Sequence, residues 1–352
     1  MLEHPFVRLA LVTLLASPSM GVAAAADTDC PTPPATMRAA RIHAAGGPEA
    51  LRIEQVPVPE ARAGEVLVRI HFASINPVDW KLQQAGRLPF PATPGGDFAG
   101  EIVAVGEGVQ GFSCGDAVAG IADQRGRGGS YAEYAAVAVT DITSRPARFS
   151  MAEAAAYPTV AIAAWRFLIA AADLQPGERV LVHGGAGGVG SMAVQIAKAR
   201  GAHVLATASA GNHDYLREIG ADETIDYRSV RFEDVAKDID VVVDTVGGET
   251  TVRSAAVLRD GGRLVTLVGT VPAEICAAGR IVCPATPPWD VQRGLAYVAP
   301  LIEAGTLRVN IDRCYPLDSI AQAQEHNRSG RTRGKVVVDM GAAPVGSKPA
   351  CN

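Results

Sequence analysis

The sequence predicts an α/β protein in which a doubly wound parallel sheet accompanies a second domain rich in short strands. From about residue 180 onward, apolar runs alternate with helical patterns, which is typical of a parallel sheet covered by helices. Between residues 38 and 139, short β-rich runs are separated by glycine and proline clusters, as in a small barrel or sandwich. With 352 residues, the chain has room for two such domains, each with its own core.

The first half of the chain is predicted to form strands at residues 51–55, 65–72, 101–105 and 117–119. The pattern changes at Ser150. Ser150 and Glu153 fit a capping box, S-x-x-E, which predicts that a helix begins there. The alanine-rich apolar sequence that follows predicts a helix extending towards Ala172.

Strands and helices alternate after that helix. Strands are predicted at residues 180–183, 203–206, 241–244 and 263–267, and helices at residues 189–200, 213–219 and 250–258. A further helix is predicted from Asp290 to Ala304, where Gly305 ends it. Beyond it, residues 312–316, a helix from Ser319 and the apolar run at 335–338 return to the β-rich character of the first half. The chain is therefore expected to come back to its first domain.

The most informative segment lies between the strand predicted at 180–183 and the helix that follows it. Its glycines fit G-x-G-x-x-G, in which the first allows a tight turn, the second lets backbone approach a pyrophosphate, and the third lets helix pack on strand. The helix N-terminus adds free N–H groups and the positive end of a dipole. The segment predicts a Rossmann dinucleotide site formed by Gly185, Ala186, Gly187, Gly188, Val189 and Gly190.

Composition argues against two classes of partner. The formal net charge is −5 and the basic residues are scattered, so nothing predicts a nucleic-acid footprint. No apolar stretch approaches the roughly 20 residues needed to span a bilayer, so no stable membrane span is expected.

The first 26 residues resemble a secretory signal peptide. Arg8 precedes a short apolar segment, and the run of alanines ending at Ala26 suits a cleavage site. We therefore expect export, to the periplasm or outside the cell, with a mature chain that begins near Asp27. The alternative is that Met37 is the true start, which would leave the protein in the cytoplasm.

Six cysteines lie beyond this leader, and none forms C-x-x-C, so metal ligation by cysteine is not expected. An even count in an exported chain permits three disulfides. Cys276 with Cys283 is a plausible local pair, and Cys30 with Cys351 could join the two termini. Buried free thiols are the alternative.

A series of motifs, in order along the chain, carries a family resemblance. They are GGPEAL, SINPVDWK, PGGDFAGEIVAVGEGVQGFSCGD, GSYAEY, VLVHGGAGGVGSMAVQIAK, LREIGADETIDY, DVVVDTVGG, GGRLV and TRGKVVV. From about Met37 to Met340, the sequence resembles the zinc-independent quinone oxidoreductases of the medium-chain dehydrogenase/reductase superfamily. The resemblance implies a GroES-like catalytic domain at residues 37–150, completed by residues 306–340, a Rossmann domain at 151–305 and a tail at 341–352. It also implies a cofactor in the cleft between the domains, and a homodimer.

The same resemblance indicates whether the chain has the ligands of a zinc site. Zinc-dependent relatives place a cysteine ligand in the stretch that here reads Asn76-Pro77-Val78-Asp79, and a histidine at the position of Gly96. Their lobe of four clustered cysteines is missing too. A catalytic zinc needs three such protein ligands and an open position. We therefore expect no metal, and catalysis by orientation and hydrogen bonds.

The end of the second Rossmann strand bears on the choice of cofactor. NAD-preferring sites hold a carboxylate there, about 20 residues past the first glycine, to bind the ribose 2′-hydroxyl. Residues 206–212 read ATASAGN, without an acid, so NADP (NADPH) is expected. Relatives that use NADP commonly have Lys or Arg where Gly211 stands. In its absence, the candidates to bind the phosphate are Ser209, Asn212, His213 and Arg228.

Further site residues follow from the family match. Asn76 matches an asparagine beside the nicotinamide in relatives, although Asn before Pro can also mark a simple turn. Asp79 is a second catalytic candidate, with the role of orienting its neighbours, and Lys81 is a weaker one. The remaining cofactor-binding candidates are Tyr227, whose alternative is a plain strand-end aromatic, Val246, Val268, Gly269 and Lys335, whose alternative is a solvent-facing lysine.

Three functions are consistent with this sequence. The first is reduction of quinones or α,β-unsaturated carbonyls by NADPH, without zinc. The second is a cofactor-binding protein of the same fold without turnover. It is favoured by two departures from the family: a tyrosine is missing from LQQAGRLPF, and a T-A-W segment reads Ala163-Ala164-Trp165. The third, zinc-free alcohol dehydrogenation, lacks a base in a persuasive position.

Overall fold

A computed structural model of the chain describes residues 30–341. Its strands are β1 (Thr36–Arg41), β2 (Arg52–Pro57), β3 (Glu65–Ile75), β4 (Asp97–Val105), β5 (Ala117–Ile121), β6 (Tyr134–Ala138), β7 (Ile142–Ser144), β8 (Arg179–His183), β9 (His203–Ala208), β10 (Glu223–Asp226), β11 (Ile239–Asp244), β12 (Leu258–Thr266), β13 (Ile311–Pro316) and β14 (Lys335–Asp339).

Its helices are α1 (Pro77–Gln84), α2 (Met151–Ala156), α3 (Pro158–Trp165), α4 (Gly188–Ala199), α5 (His213–Glu218), α6 (Phe232–Val235), α7 (Glu249–Ser254), α8 (Ala273–Ala277), α9 (Val291–Glu303) and α10 (Ile320–Arg328). A π-helical turn at Arg166–Ala171 follows α3. Between residues 30 and 341, none of the helices combines the length and the apolar character that crossing a bilayer requires.

A parallel sheet of five strands, in the order β10-β9-β8-β11-β12, forms the centre of the second half. The order reverses between β8 and β11, as in doubly wound nucleotide-binding sheets. Val180, Leu181 and Val182 of β8 are completely buried, as expected for a parallel strand covered on both faces. The predicted fold class, a Rossmann sheet beside a β-rich unit, is confirmed.

A second sheet of seven strands contains β3 to β7 together with β13 and β14. The last strand, β14, runs antiparallel to β3, and its Val336 lies opposite Ile75. This register brings the first residue of β14, Lys335, next to the end of β3, where Asn76 begins α1.

One helix prediction is wrong in extent. The helix that begins at the confirmed capping box of Ser150 and Glu153 stops at Ala156, and a new helix begins at Pro158. A proline inside a helix lacks the N–H donor and clashes with the preceding turn, whereas the first position of a helix tolerates it. The helix predicted at 250–258 is also too long. It ends at Ser254, and Leu258 pairs with Ile239 as the first residue of β12.

Two predictions concern disulfides. The local bridge Cys276–Cys283 is confirmed. The bridge between Cys30 and Cys351 is wrong, because Cys30 is bonded to Cys114, with Cα atoms 5.5 Å apart. Cys314 is disulfide-bonded as well. Cys351, the leader at residues 1–26 and residues 342–352 of the tail lie outside the described residues.

Candidate active site

The glycine turn, residues 184–190, connects β8 to α4. A Cβ atom on Gly190 would lie 2.2 Å from the Gly184 carbonyl oxygen, so only glycine lets the helix approach the strand this closely. A Cβ on Gly187 would meet only that same oxygen, at 3.4 Å. The second glycine of the motif therefore faces open space, where a diphosphate could approach the backbone.

Helix α4 begins directly from this turn. Its N-cap residue is Gly187, and no side chain caps the helix, so the first-turn N–H groups have no side-chain acceptor. Gly187 forms a β-bridge with Gly334, whose N–H donates to the Ala186 carbonyl at 2.9 Å. The C-terminal segment thus holds the turn in place while Gly187, Gly188 and Val189 stay partly accessible. Open backbone donors at a helix N-terminus fit the phosphates of a dinucleotide.

Three further predicted cofactor residues lie at the carboxyl ends of β11 and β12. A Cβ on Gly184 would lie 3.4 Å from Val246 Cγ2, so Val246 is next to the glycine turn. A Cβ on Gly247 would lie 2.7 Å from Val268 Cβ, which places Val268 and the following Gly269 beside it. Ligands bind at this edge of an open sheet, where the strand order reverses.

The predicted adenosine-side residues come together at the ends of β9 and β10. Asn212 donates from Nδ2 to Ser209 Oγ at 3.2 Å. The Tyr227 N–H donates to the Ala208 carbonyl at 3.4 Å, and its side chain is 57% exposed. Sequence reasoning missed another residue here: Arg333 donates from Nε to Asn212 Oδ1 at 2.7 Å.

Asn76, the N-cap residue of α1, lies in a buried network that also contains Asp79, Asp97 and Lys335. Only 2% of Asn76 is exposed. Its Nδ2 donates to Asp97 Oδ2 at 2.8 Å, and its Oδ1 accepts a hydrogen bond from Lys335 Nζ. A side-chain amide has two N–H donors, and the second has no partner among residues 30–341. The amide is therefore held in one orientation, and its second N–H donor remains available to a ligand.

Lys335 connects this network to the glycine turn. Its Nζ donates to the Ile75 carbonyl at 3.2 Å and lies 3.4 Å from Asp97 Oδ2. Its stem packs under the turn, since a Cβ on Gly188 would lie 2.9 Å from Lys335 Cδ. Burial lowers the pKa of Lys335, and the Asp97 carboxylate opposes that shift. With 4% of the residue exposed, the solvent-facing alternative is wrong.

Asp79 lies completely buried one turn into α1. It accepts hydrogen bonds from Tyr131 Oη at 2.7 Å, from the Asn76 N–H at 2.8 Å and from Gln124 Nε2 at 3.0 Å. Burial raises the pKa of Asp79 to about 6, although these three donors lower it. These contacts fix the Asp79 carboxyl group, which in turn stabilises the start of α1. Asp97 is held similarly by Thr159, whose Oγ1 and N–H both donate to Asp97 Oδ1, at 2.6 and 3.0 Å.

The structure brings most predicted residues to one edge of the Rossmann sheet, but it adds partners that the sequence did not indicate. The missed residues are Asp97, Gln124, Tyr131, Thr159 and Arg333. Asp97 and Tyr131 belong to the motifs PGGDFAG and GSYAEY, so their motif membership was a signal. Lys81 is exposed beside Trp80 and takes no part in the network.

The donor set does not fit a catalytic zinc. In the part of the chain that the structure describes, no three His, Cys, Asp or Glu side chains are grouped as a metal would need. The position of Gly96 offers no ligand, and Asp79 and Asp97 are occupied by protein donors.

Two family profiles match the chain. "Alcohol dehydrogenase GroES-like domain" matches residues 62–147, and "Zinc-binding dehydrogenase" matches residues 219–338. The expectation of a GroES-like unit is thereby confirmed.

Individual proteins match over most of the chain. The 2-methylene-furan-3-one reductase of Solanum lycopersicum is 35% identical over 348 residues, covering 93% of this chain and 85% of that protein. The chloroplastic NADPH-dependent alkenal/one oxidoreductase of Arabidopsis thaliana is 35% identical over 307 residues, covering 83% of this chain and 77% of that protein. The solved quinone oxidoreductase of Coxiella burnetii superimposes with a TM-score of 0.79 at 31% identity, covering 87% of this chain and 99% of that structure.

Proposed function

The chain belongs to the medium-chain dehydrogenase/reductase family, among its quinone and alkenal/one oxidoreductases, and we propose that it reduces quinones or α,β-unsaturated carbonyl compounds with NADPH. It is an oxidoreductase that uses a nicotinamide cofactor. The observation that carries the proposal is the Asn76 amide, fixed by Asp97 and Lys335 beside the glycine turn, with one N–H donor unused.

The glycine turn and the carboxyl edge of the sheet would hold the cofactor. Gly188 and Val189 would offer backbone donors to the diphosphate, since the Gly187 N–H already donates to the Gly184 carbonyl at 3.0 Å. Val246 and Val268 lie where the nicotinamide end is expected. NADPH, when bound, supplies a hydride from C4 of its nicotinamide.

Asn76 would stabilise the charge that develops on the substrate. When an enone or quinone carbon accepts a hydride, the electron pair of its double bond moves to the oxygen, which becomes negative. The unused Asn76 N–H can donate to that oxygen, and a preorganised donor of this kind stabilises the transition state more than the ground state. Solvent then supplies the proton, which completes a two-electron reduction.

The surrounding residues act by positioning. Asp97 and Lys335 each bond one end of the Asn76 amide, so the amide cannot rotate without breaking a buried hydrogen bond. Asp79 fixes the Asn76 backbone, and Thr159 fixes Asp97. Asp79, predicted as catalytic, is therefore proposed here as a positioning residue, because its carboxylate is fully buried and contacts only protein donors.

Several finer features belong to the same proposal. NADPH is favoured over NADH because the turn after β9 carries no carboxylate. The donor set among the described residues supports catalysis without zinc. The five- and seven-stranded sheets support domain limits of 151–305 and of 37–150 with 306–340. The disulfides support an oxidising compartment, and hence export. A homodimer remains an expectation from the family.

Replacement of Asn76 tests this proposal. Purified wild-type protein is expected to oxidise NADPH in the presence of a panel of quinones and enones, followed by absorbance at the nicotinamide band. Asn76→Ala should lower kcat about 10²-fold, because one oxyanion donor is lost. The Kd for NADPH, from tryptophan fluorescence, should not change.

A matched control is Asn327→Ala. Asn327 accepts a hydrogen bond from Trp80 Nε1 at 3.0 Å and is not part of the buried network, so kcat should stay at the wild-type value. Nucleotide binding without turnover by the wild-type protein would instead support the inert cofactor-binding alternative. Equal activity of Asn76→Ala and wild type would remove Asn76 from the mechanism.

A further inference from the structure

The turn that follows β9 has no lysine or arginine of its own. Residues 209–213 read Ser-Ala-Gly-Asn-His, and a Cβ on Gly211 would meet nothing within 4 Å. The second strand of such a sheet ends where the adenosine ribose binds, and an arginine nearby accommodates a 2′-phosphate. An NADPH site in this protein needs that positive charge from elsewhere in the chain.

Arg333 brings a guanidinium to this turn from the opposite end of the sequence. Its Nε donates to Asn212 Oδ1 at 2.7 Å, and its Nη2 donates to the Gly211 carbonyl at 3.1 Å. Its Cζ lies 5.6 Å from the centre of the Tyr215 ring. A guanidinium has five N–H donors, so these two bonds leave three that have no partner among residues 30–341.

The charge of Arg333 is not neutralised by the protein. Among residues 30–341, no carboxylate lies within ion-pair distance of it. The nearby acids have their own partners: Asp214 pairs with Arg217, and Asp226 accepts from the Arg228 N–H and from Ser229. An exposed and uncompensated guanidinium of fixed geometry is the group that phosphate recognition uses.

The backbone of Arg333 is tied to the glycine turn. The next residue, Gly334, donates its N–H to the Ala186 carbonyl at 2.9 Å and forms the bridge with Gly187. Asn310 Nδ2 donates to the Arg333 carbonyl at 2.7 Å. The segment that holds the diphosphate turn therefore also fixes the guanidinium, which lowers the entropy cost of binding both phosphate groups of one ligand.

We infer that Arg333 selects NADPH over NADH by binding the 2′-phosphate, in the place of the basic residue that Gly211 does not provide. The inference rests on the proposed function and adds to it the residue that determines cofactor specificity. Arg228 is the competing cation, but its Cζ lies 5.7 Å from the Tyr227 ring, and no hydrogen bond ties its guanidinium to the Gly211 turn.

The test compares nucleotide affinities of full-length variants. In Arg333→Gln, the Kd for NADPH should rise about 10- to 100-fold, the usual effect of losing charged hydrogen bonds, while the Kd for NADH should not change. Arg331→Gln removes the same charge two residues earlier, from an exposed side chain, and should leave both constants at wild-type values. A thermal melt checks that each variant is folded.

A second-site variant makes the test sharper. Because Gly211 has open space around it and no left-handed backbone, Lys is tolerated there, and Arg333→Gln/Gly211→Lys should recover the NADPH affinity. If Arg333→Gln keeps the wild-type preference for NADPH, this inference is overturned and the proposed function stands. If the wild-type protein itself does not prefer NADPH, the proposed cofactor preference fails, and the inference with it.

Discussion

The glycine turn and the buried network are built on opposite physical principles. In the proposed site the turn acts through its backbone: its glycines leave space, and its open donors are the N–H groups of residues 188 and 189. The network works through side chains, with charged and amide groups from three separate segments fully or almost fully buried. The difference teaches that the first region depends on where its glycines stand, whereas the second depends on each of its side-chain partners.

Lys335 belongs to both regions, since its stem packs under the turn and its Nζ lies in the network. Removing it should therefore damage the network more than the turn. Lys335→Met leaves the Asp97 charge buried without a cation, and breaking a buried pair in this way costs about 3–5 kcal/mol of unfolding free energy. Denaturant titration measures the loss.

Two further variants isolate the cause of that loss. Lys81→Met removes an exposed lysine, and its unfolding free energy should equal that of the wild type. Lys335→Met/Asp97→Asn removes both charges, so it should be more stable than Lys335→Met alone. If Lys335→Met lost less than about 1 kcal/mol of unfolding free energy, the network would not depend on its ion pair.

For the glycine turn we expect the reverse pattern: a substitution should weaken nucleotide binding and leave the stability of the fold unchanged. Gly187→Asp places a carboxylate where the diphosphate approaches, in space that only the Gly184 oxygen borders. We expect the Kd for NADPH to rise by at least about 10²-fold, because like charges meet in a site built for an anion. The unfolding free energy should stay near the wild-type value.

Gly187→Ala is the matched control that separates the effect of charge from the effect of side-chain size. Its Cβ would lie 3.4 Å from the Gly184 oxygen, and the backbone at residue 187 has φ −75°, which any residue can adopt. Its affinity should therefore fall much less than that of Gly187→Asp. Equal losses for the two variants would mean that steric bulk, and not charge, decides binding at this position.

The two regions also differ in how far the sequence predicts them. The glycine spacing is local, so the close approach of helix to strand at Gly190 and the open space at Gly187 could be predicted from it. The left-handed residue of the turn is Gly184, with φ 66°, and not Gly185. The network is not local: Asn76 meets Asp97 across 21 positions, and Asp97 meets Lys335 across 238. The pairing of β3 with β4 brings Asp97 to Asn76, and the pairing of β14 with β3 brings Lys335, and no sequence period specifies either pairing.

Other differences have similar causes. The break at Pro158 could have been predicted from the proline alone. Cysteine spacing does not determine connectivity, and so the partner of Cys30 was assigned wrongly. Arg333 was overlooked because the position expected to carry charge, Gly211, is 122 residues away from it.

A pH titration distinguishes the two regions by the sign of their effect on the unfolding free energy. Burial raises the pKa of Asp79, in the network, to about 6, above the ordinary value near 3.9. Burial lowers the pKa of His183, under the glycine turn, to about 4, below the ordinary value near 6.5. Between pH ~4 and ~6, the folded state holds a proton on Asp79 that the unfolded state lacks, and it lacks a proton on His183 that the unfolded state holds.

The two groups should therefore oppose each other in the wild-type protein. Asp79→Asn leaves the His183 effect, so stability should rise with pH through this window, by up to about 1.4 kcal/mol per pH unit relative to wild type. His183→Gln, which can still bond Thr207 and Ser254, leaves the Asp79 effect, and stability should fall as pH rises. Denaturant midpoints at several pH values measure both slopes, and slopes of the same sign would contradict the burial of one of the two groups.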